Sequence, residues 1–118
     1  MPRITLVLAS GPGFPAGSAE HRYELEATLD AGGHLDAAAW QADPQPWPAR
    51  RLRPGEAPRE GDVQHDPETG WSLRFPPDEA GAELTEALLS PGVLRPGEYV
   101  TICTPGGVEY GYRVVSVA

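Results

Sequence analysis

The 118-residue chain has no lysine, no asparagine and one cysteine. It also has no apolar run near the ~20 residues of a membrane-spanning helix. Each absence closes a door. A lone thiol, Cys103, cannot make an internal disulfide, so nothing points to an oxidising compartment, and a cytoplasmic location is expected. Cys103 lies in an apolar stretch and is expected to be a buried, inert thiol. The basic residues are all arginine, which fits a GC-rich, bacterial genome and carries no functional message. Nine of them face seventeen acidic residues, a net charge of -8. That balance works against non-specific binding to nucleic acid or to an anionic membrane surface. The apolar run Ile4–Ala9 is too short for a secretory core and is broken at once by Gly11, Pro12 and Gly13, so it reads as a strand rather than a leader.

What the chain has in quantity is glycine and proline, 14 of each. They fall between apolar runs, as turns do in a β protein. The length fits one domain, 1–118, with a core large enough to need no metal or disulfide staple.

Arg3–Ala9 reads as the first strand, and its Ile4–Ala9 part, apolar on both faces, suits a central one. Ser10–Ala19 is a loop with Phe14 as its one large apolar residue. His21–Asp30 alternates: Tyr23, Leu25, Ala27 and Leu29 take one face, Glu24 and Glu26 the other. Exposed carboxylates there are expected to pair across strands with an arginine such as Arg113. Asp36–Ala42 can form two helical turns capped by Asp36, with Leu35 and Trp40 as core contacts. Ala49–Arg53 reads as a short edge strand. Asp62–His65 and Trp71–Phe75 make a hairpin about Asp66–Gly70, with Trp71, Leu73 and Phe75 in the core. Asp78–Ser90 carries an amphipathic helical pattern through Ala80, Leu84, Ala87 and Leu88, an extended segment being the rival. Glu98–Cys103 and Val108–Val117 form a second hairpin, in which Pro105-Gly106 signals a type II turn. The echo of Leu52-Arg53-Pro54-Gly55-Glu56 in Leu94-Arg95-Pro96-Gly97-Glu98 is a shared turn, since the flanks differ. The expected fold is mainly β: a small antiparallel barrel or sandwich of about seven strands with one or two short helices.

No motif for nucleophilic catalysis or phosphate binding is present. No serine lies in a Gly-x-Ser-x-Gly elbow, and Gly11-Pro12-Gly13 lacks the spacing of a nucleotide loop. No cofactor is expected. Imidazole and carboxylate together suit a transition metal, so His34, Asp36 and His65, with His21, are the candidates for a site in a metal- or small-molecule-binding β-barrel or a small enzyme. None has a familiar ligand spacing. The most unusual local feature is the cluster Arg50, Arg51, Arg53 and Arg59, preceded by Trp47 between prolines. A rigid aromatic beside planar donors is the composition of an interaction hot spot. The first expectation is therefore a non-enzymatic protein-interaction module whose Trp47/Arg surface grips a partner with an acidic face. The alternative is the ligand- or metal-binding barrel at the histidines. Nucleic acid is disfavoured by charge.

Overall fold

Residues 1–77, 83–89 and 91–118 are described in a computed structural model. Among them eight strands run in order around one closed antiparallel barrel. They are β1 (Arg3–Ser10), β2 (Ser18–Glu26), β3 (Trp47–Leu52), β4 (Arg59–Asp66), β5 (Gly70–Phe75), β6 (Leu84–Leu89), β7 (Tyr99–Cys103) and β8 (Glu109–Val117). Each strand pairs with the next, and β8 returns to β1. One short helix, α1 (Ala37–Ala42), sits in the β2–β3 connection. Asp36 caps it, its carboxylate accepting from the Ala39 amide at 3.0 Å.

Alternation places the core. Ile4, Leu6 and Leu8 on β1, Tyr23 and Leu25 on β2, and Trp71, Leu73 and Phe75 on β5 all point inward and are buried. Each such apolar side chain stabilises the fold by about 1.5–3 kcal/mol when fully buried. The intervening positions form a charged outer wall. Glu26 stands opposite Arg3, Glu24 opposite Arg50, and Arg50 opposite Glu60. The matching ion pairs measure 3.7, 3.7 and 3.0 Å. Glu24 and Glu26 thus pair with Arg50 and Arg3 rather than with Arg113, because register, not distance along the chain, chooses the partner.

Both hairpin turns leave a glycine at positive φ, Gly70 at 88° and Gly107 at 85°. The Gly107 amide bonds the Thr104 carbonyl at 2.9 Å. The left-handed residue is Gly107 rather than Gly106, so the turn is type I with a following bulge rather than type II.

Three further expectations change. Leu84–Leu89 is a strand, not part of a helix, while 78–82 and 90 lie outside the described residues. Glu86 and Leu88 point in, whereas Thr85 and Leu89 are exposed. Leu84, Ala87 and Leu88 satisfy a helical stripe equally well. The inward acidic residue conceals the period of two. The 49–53 segment is no edge strand, because β3 is bonded on both sides by β2 and β4. Cys103 is half-buried rather than fully buried.

Candidate functional site

The two ends of the barrel differ in chemistry. The end carrying the 27–46, 66–70 and 91–98 connections is closed by rings. Trp47 stacks on Trp71 at 6.0 Å, and His65 lies 4.5 Å from Trp71 and 6.0 Å from Trp40. Both outer indoles are tied down: Trp47 Nε1 donates to Asp43 at 2.9 Å and Trp40 Nε1 to the Val63 carbonyl at 2.9 Å.

The other end is polar inside. Tyr23 on β2 stands opposite Arg51 on β3, which stands opposite Arg59 on β4. Directly paired residues share a face, so all three point into the barrel. From β6, Glu86 reaches the same place and is 2% exposed. Its carboxylate accepts from the Tyr23 hydroxyl at 2.7 Å and pairs with Arg51 at 3.4 Å. Arg51 also pairs with Glu56 at 3.3 Å. A buried carboxylate needs this much company, since an unpaired charge there costs several kcal/mol.

Arg53 is two residues beyond Arg51 and lies on the same face. It borders a cleft of about 40 Å³ with Leu8, Phe14, His21, Tyr110 and Tyr112. Its Nε is buried without a hydrogen-bond partner. Among the described residues no ion pair reaches it. Burial works against its charge, but the Tyr23, Glu86 and Tyr112 oxygens outweigh this, so the guanidinium stays protonated. Burial, with the nearby Glu86 carboxylate, pushes the Tyr23 phenol far above the usual tyrosine range. Burial raises Tyr112 as well, against the lowering field of Arg53. Both phenols are therefore protonated at neutral pH; Tyr23 spends its one hydrogen on Glu86, and Tyr112 keeps the donor role. Phe14 lies across His21 at 4.6 Å, and His21 Nδ1 is 3.0 Å from the Ser18 hydroxyl. Gly11 lies against the Tyr110 ring, so closely that a Cβ there would overlap it. The 11–17 connection thereby walls the cleft.

The residues singled out in the sequence divide between these places. Trp47 is 0% exposed and belongs to the closed end. It is no surface anchor, because its alternating partners Ala49 and Arg51 also point inward. Arg50 faces out into the Glu24–Glu60 ladder. Arg51, Arg53 and Arg59 converge on the polar end. The proposed Trp/Arg patch is thus split by the strand itself. The histidines are not brought together either. His21 is at the polar end, His65 is among the tryptophans, and His34 is in a turn where its amide donates to Asp30 at 3.0 Å. Asp36 is occupied in capping α1. Among the described residues no three His, Cys, Asp or Glu side chains are grouped to hold a metal ion.

Sequence reasoning missed Tyr23, Glu86, Tyr110 and Tyr112 as site residues. The available signal was Glu86 itself, an acidic residue at an inward position between leucine-bearing neighbours. Broader depressions on the outer wall carry less chemistry. One of about 390 Å³, bounded by Gly17, Tyr99 and Arg113, offers a single guanidinium that water already solvates. Comparison with family models, with curated proteins and with solved structures finds no match to this chain.

Proposed function

We propose that the protein is a ligand-binding barrel that takes a small anionic molecule at its polar end. One observation carries this reading: Arg53 is a half-buried guanidinium with a desolvated Nε and, among the described residues, no carboxylate partner, set among phenols and rings. A buried donor without an acceptor is costly, and an incoming anion removes that cost. Glu86 and Glu56 do not serve this purpose, because both engage Arg51. The reading is tested by titrating acetate and inorganic phosphate into the protein at low salt while following backbone and arginine side-chain NMR signals. Saturable shifts at Arg53, His21 and Tyr112 are expected, and Arg53→Gln removes them. Shifts spread evenly over the outer wall would sink it.

A protein-interaction role keeps one observation in its favour. Tyr99, Leu89 and Val115 are 65%, 40% and 38% exposed on the outer faces of three consecutive strands. The contact would then lie on β6–β8 rather than on Trp47–Arg53. A partner captured by the wild type and equally by Tyr99→Ser would remove that surface from consideration.

A further inference from the structure

We propose that the anion is the carboxylate of a small flat molecule, its head group held by Arg53 and its body lying over the rings at the rim. This rests on the ligand-binding reading above and narrows it to a class.

The cleft sets the size of what enters. About 40 Å³ admits a few waters or one carboxylate. It is far below the ~300 Å³ of a pocket that encloses a whole ligand. The head group goes in and the body remains at the mouth. There Arg53 also borders a shallow depression with Arg22, Leu52 and Pro54, so its guanidinium is open on a second side.

Charge sets the valence. Arg51 is already matched by two carboxylates, and Glu86 projects a negative field toward Arg53. Arg22 is engaged by the Ala19 carbonyl and Arg59 by the Pro76 carbonyl, which leaves the Arg53 guanidinium for one negative charge. A dianionic phosphate monoester would bring a second charge beside Glu86. Phosphate sites commonly add backbone N–H groups from a helix N-terminus. The single helix among the described residues, α1, lies at the opposite end. A carboxylate matches the arginine fork with two parallel hydrogen bonds and leaves the protonated Tyr112 phenol as a further donor.

The rim sets the shape. Phe14 and Tyr110 are only partly buried, and both flank Arg53. Ring faces favour a flat body by offset stacking.

The test compares benzoate, cyclohexanecarboxylate, acetate, phenyl phosphate and inorganic phosphate by NMR titration of the full chain. Benzoate is expected to shift Arg53, Phe14, Tyr110 and Tyr112 and to bind about tenfold or more tightly than acetate or either phosphate. Arg53→Gln should weaken it by a similar factor, and so should Arg53→Lys, which keeps the charge but loses the fork. Arg50→Gln on the outer wall should leave it unchanged. The inference is overturned if phenyl phosphate outcompetes benzoate, or if cyclohexanecarboxylate binds as well as benzoate. Equal weak binding of all the anions at Arg53 also overturns it, but leaves the ligand-binding reading standing. No shift at Arg53 with any of them removes both.

Discussion

Among the described residues Glu86 is the one buried charged side chain, so its partners decide what a change there costs. Removing one partner of a buried pair leaves the other charge stranded, which typically costs about 3–5 kcal/mol. Arg51 is 11% exposed and retains Glu56, which tempers the loss. Glu86→Leu is therefore expected to destabilise by about 2–3 kcal/mol in urea denaturation. Adding Arg51→Met should recover only part of that: it removes the stranded guanidinium, but the Tyr23 hydroxyl still lacks the acceptor that Glu86 provided. A double variant no more stable than Glu86→Leu would show that Arg51 is held by Glu56 alone. Tyr23 and Tyr112 supply a second test at this scale. Their phenols hold protons more tightly in the folded than in the unfolded chain. Their contribution is thus fully present below about pH 10, the unfolded tyrosine value, and is lost as pH rises above it. Stability should fall there by up to about 1.4 kcal/mol per pH unit for each of the two. Urea midpoints measured through the alkaline range check this, and Tyr23→Phe should flatten the decline.

At the level of strands, the legible ones were those whose alternation is chemically clean. In β2, Tyr23 and Leu25 interleave with Glu24 and Glu26, and in β5, Trp71, Leu73 and Phe75 mark one face. The strand whose pattern misleads, β6, breaks that rule by turning Glu86 inward. The same residue hid both the strand and the site. The arginine cluster was visible in the sequence as a cluster, but the face each arginine takes depends on the register of β3 against β2 and β4. Composition cannot supply register, and a shift by one residue would send Arg50 rather than Arg51 inside. Close approach between strands gives a further prediction. A Cβ on Gly61 would overlap the Arg74 carbonyl oxygen and lie 2.7 Å from the Phe75 ring. Gly61 stands opposite Ala49, so two minimal residues meet where β4 crosses the packed interior. Gly61→Ala should cost about 1–3 kcal/mol by overpacking, read from the thermal or urea midpoint. A neutral result would mean that β4 can slide away from β5 without loss.

For the whole molecule, closure matters more than any single pairing. An open eight-stranded sheet would present two unpaired edges, and here neither exists, since β1 and β8 satisfy each other. The apolar side chains line the interior and the charged ladder lies outside. No helix among the described residues is long and apolar enough to cross a membrane. The interior is filled at the tryptophan end and polar at the other, so the barrel is a cup with one usable rim. Residues from β2, β3, β6 and β8 meet at that rim, although they are far apart in the chain. This is why the cup, unlike its strands, could not be read from local pattern.

The seam between the first and last strands ends in a reciprocal pair of hydrogen bonds. The Arg3 amide donates to the Ala118 carbonyl at 2.8 Å, and the Ala118 amide to the Arg3 carbonyl at 2.9 Å. Residues 3 and 118 therefore lie side by side, where β1 begins and β8 ends. A circular permutant joining residue 118 to residue 1 through a short glycine linker, and opened in the 53–58 turn, should fold to the same barrel, as its amide spectrum would show. Its new ends would hang beside Arg53, so a fused tag or reporter would sit at the rim of the cup rather than beneath its floor.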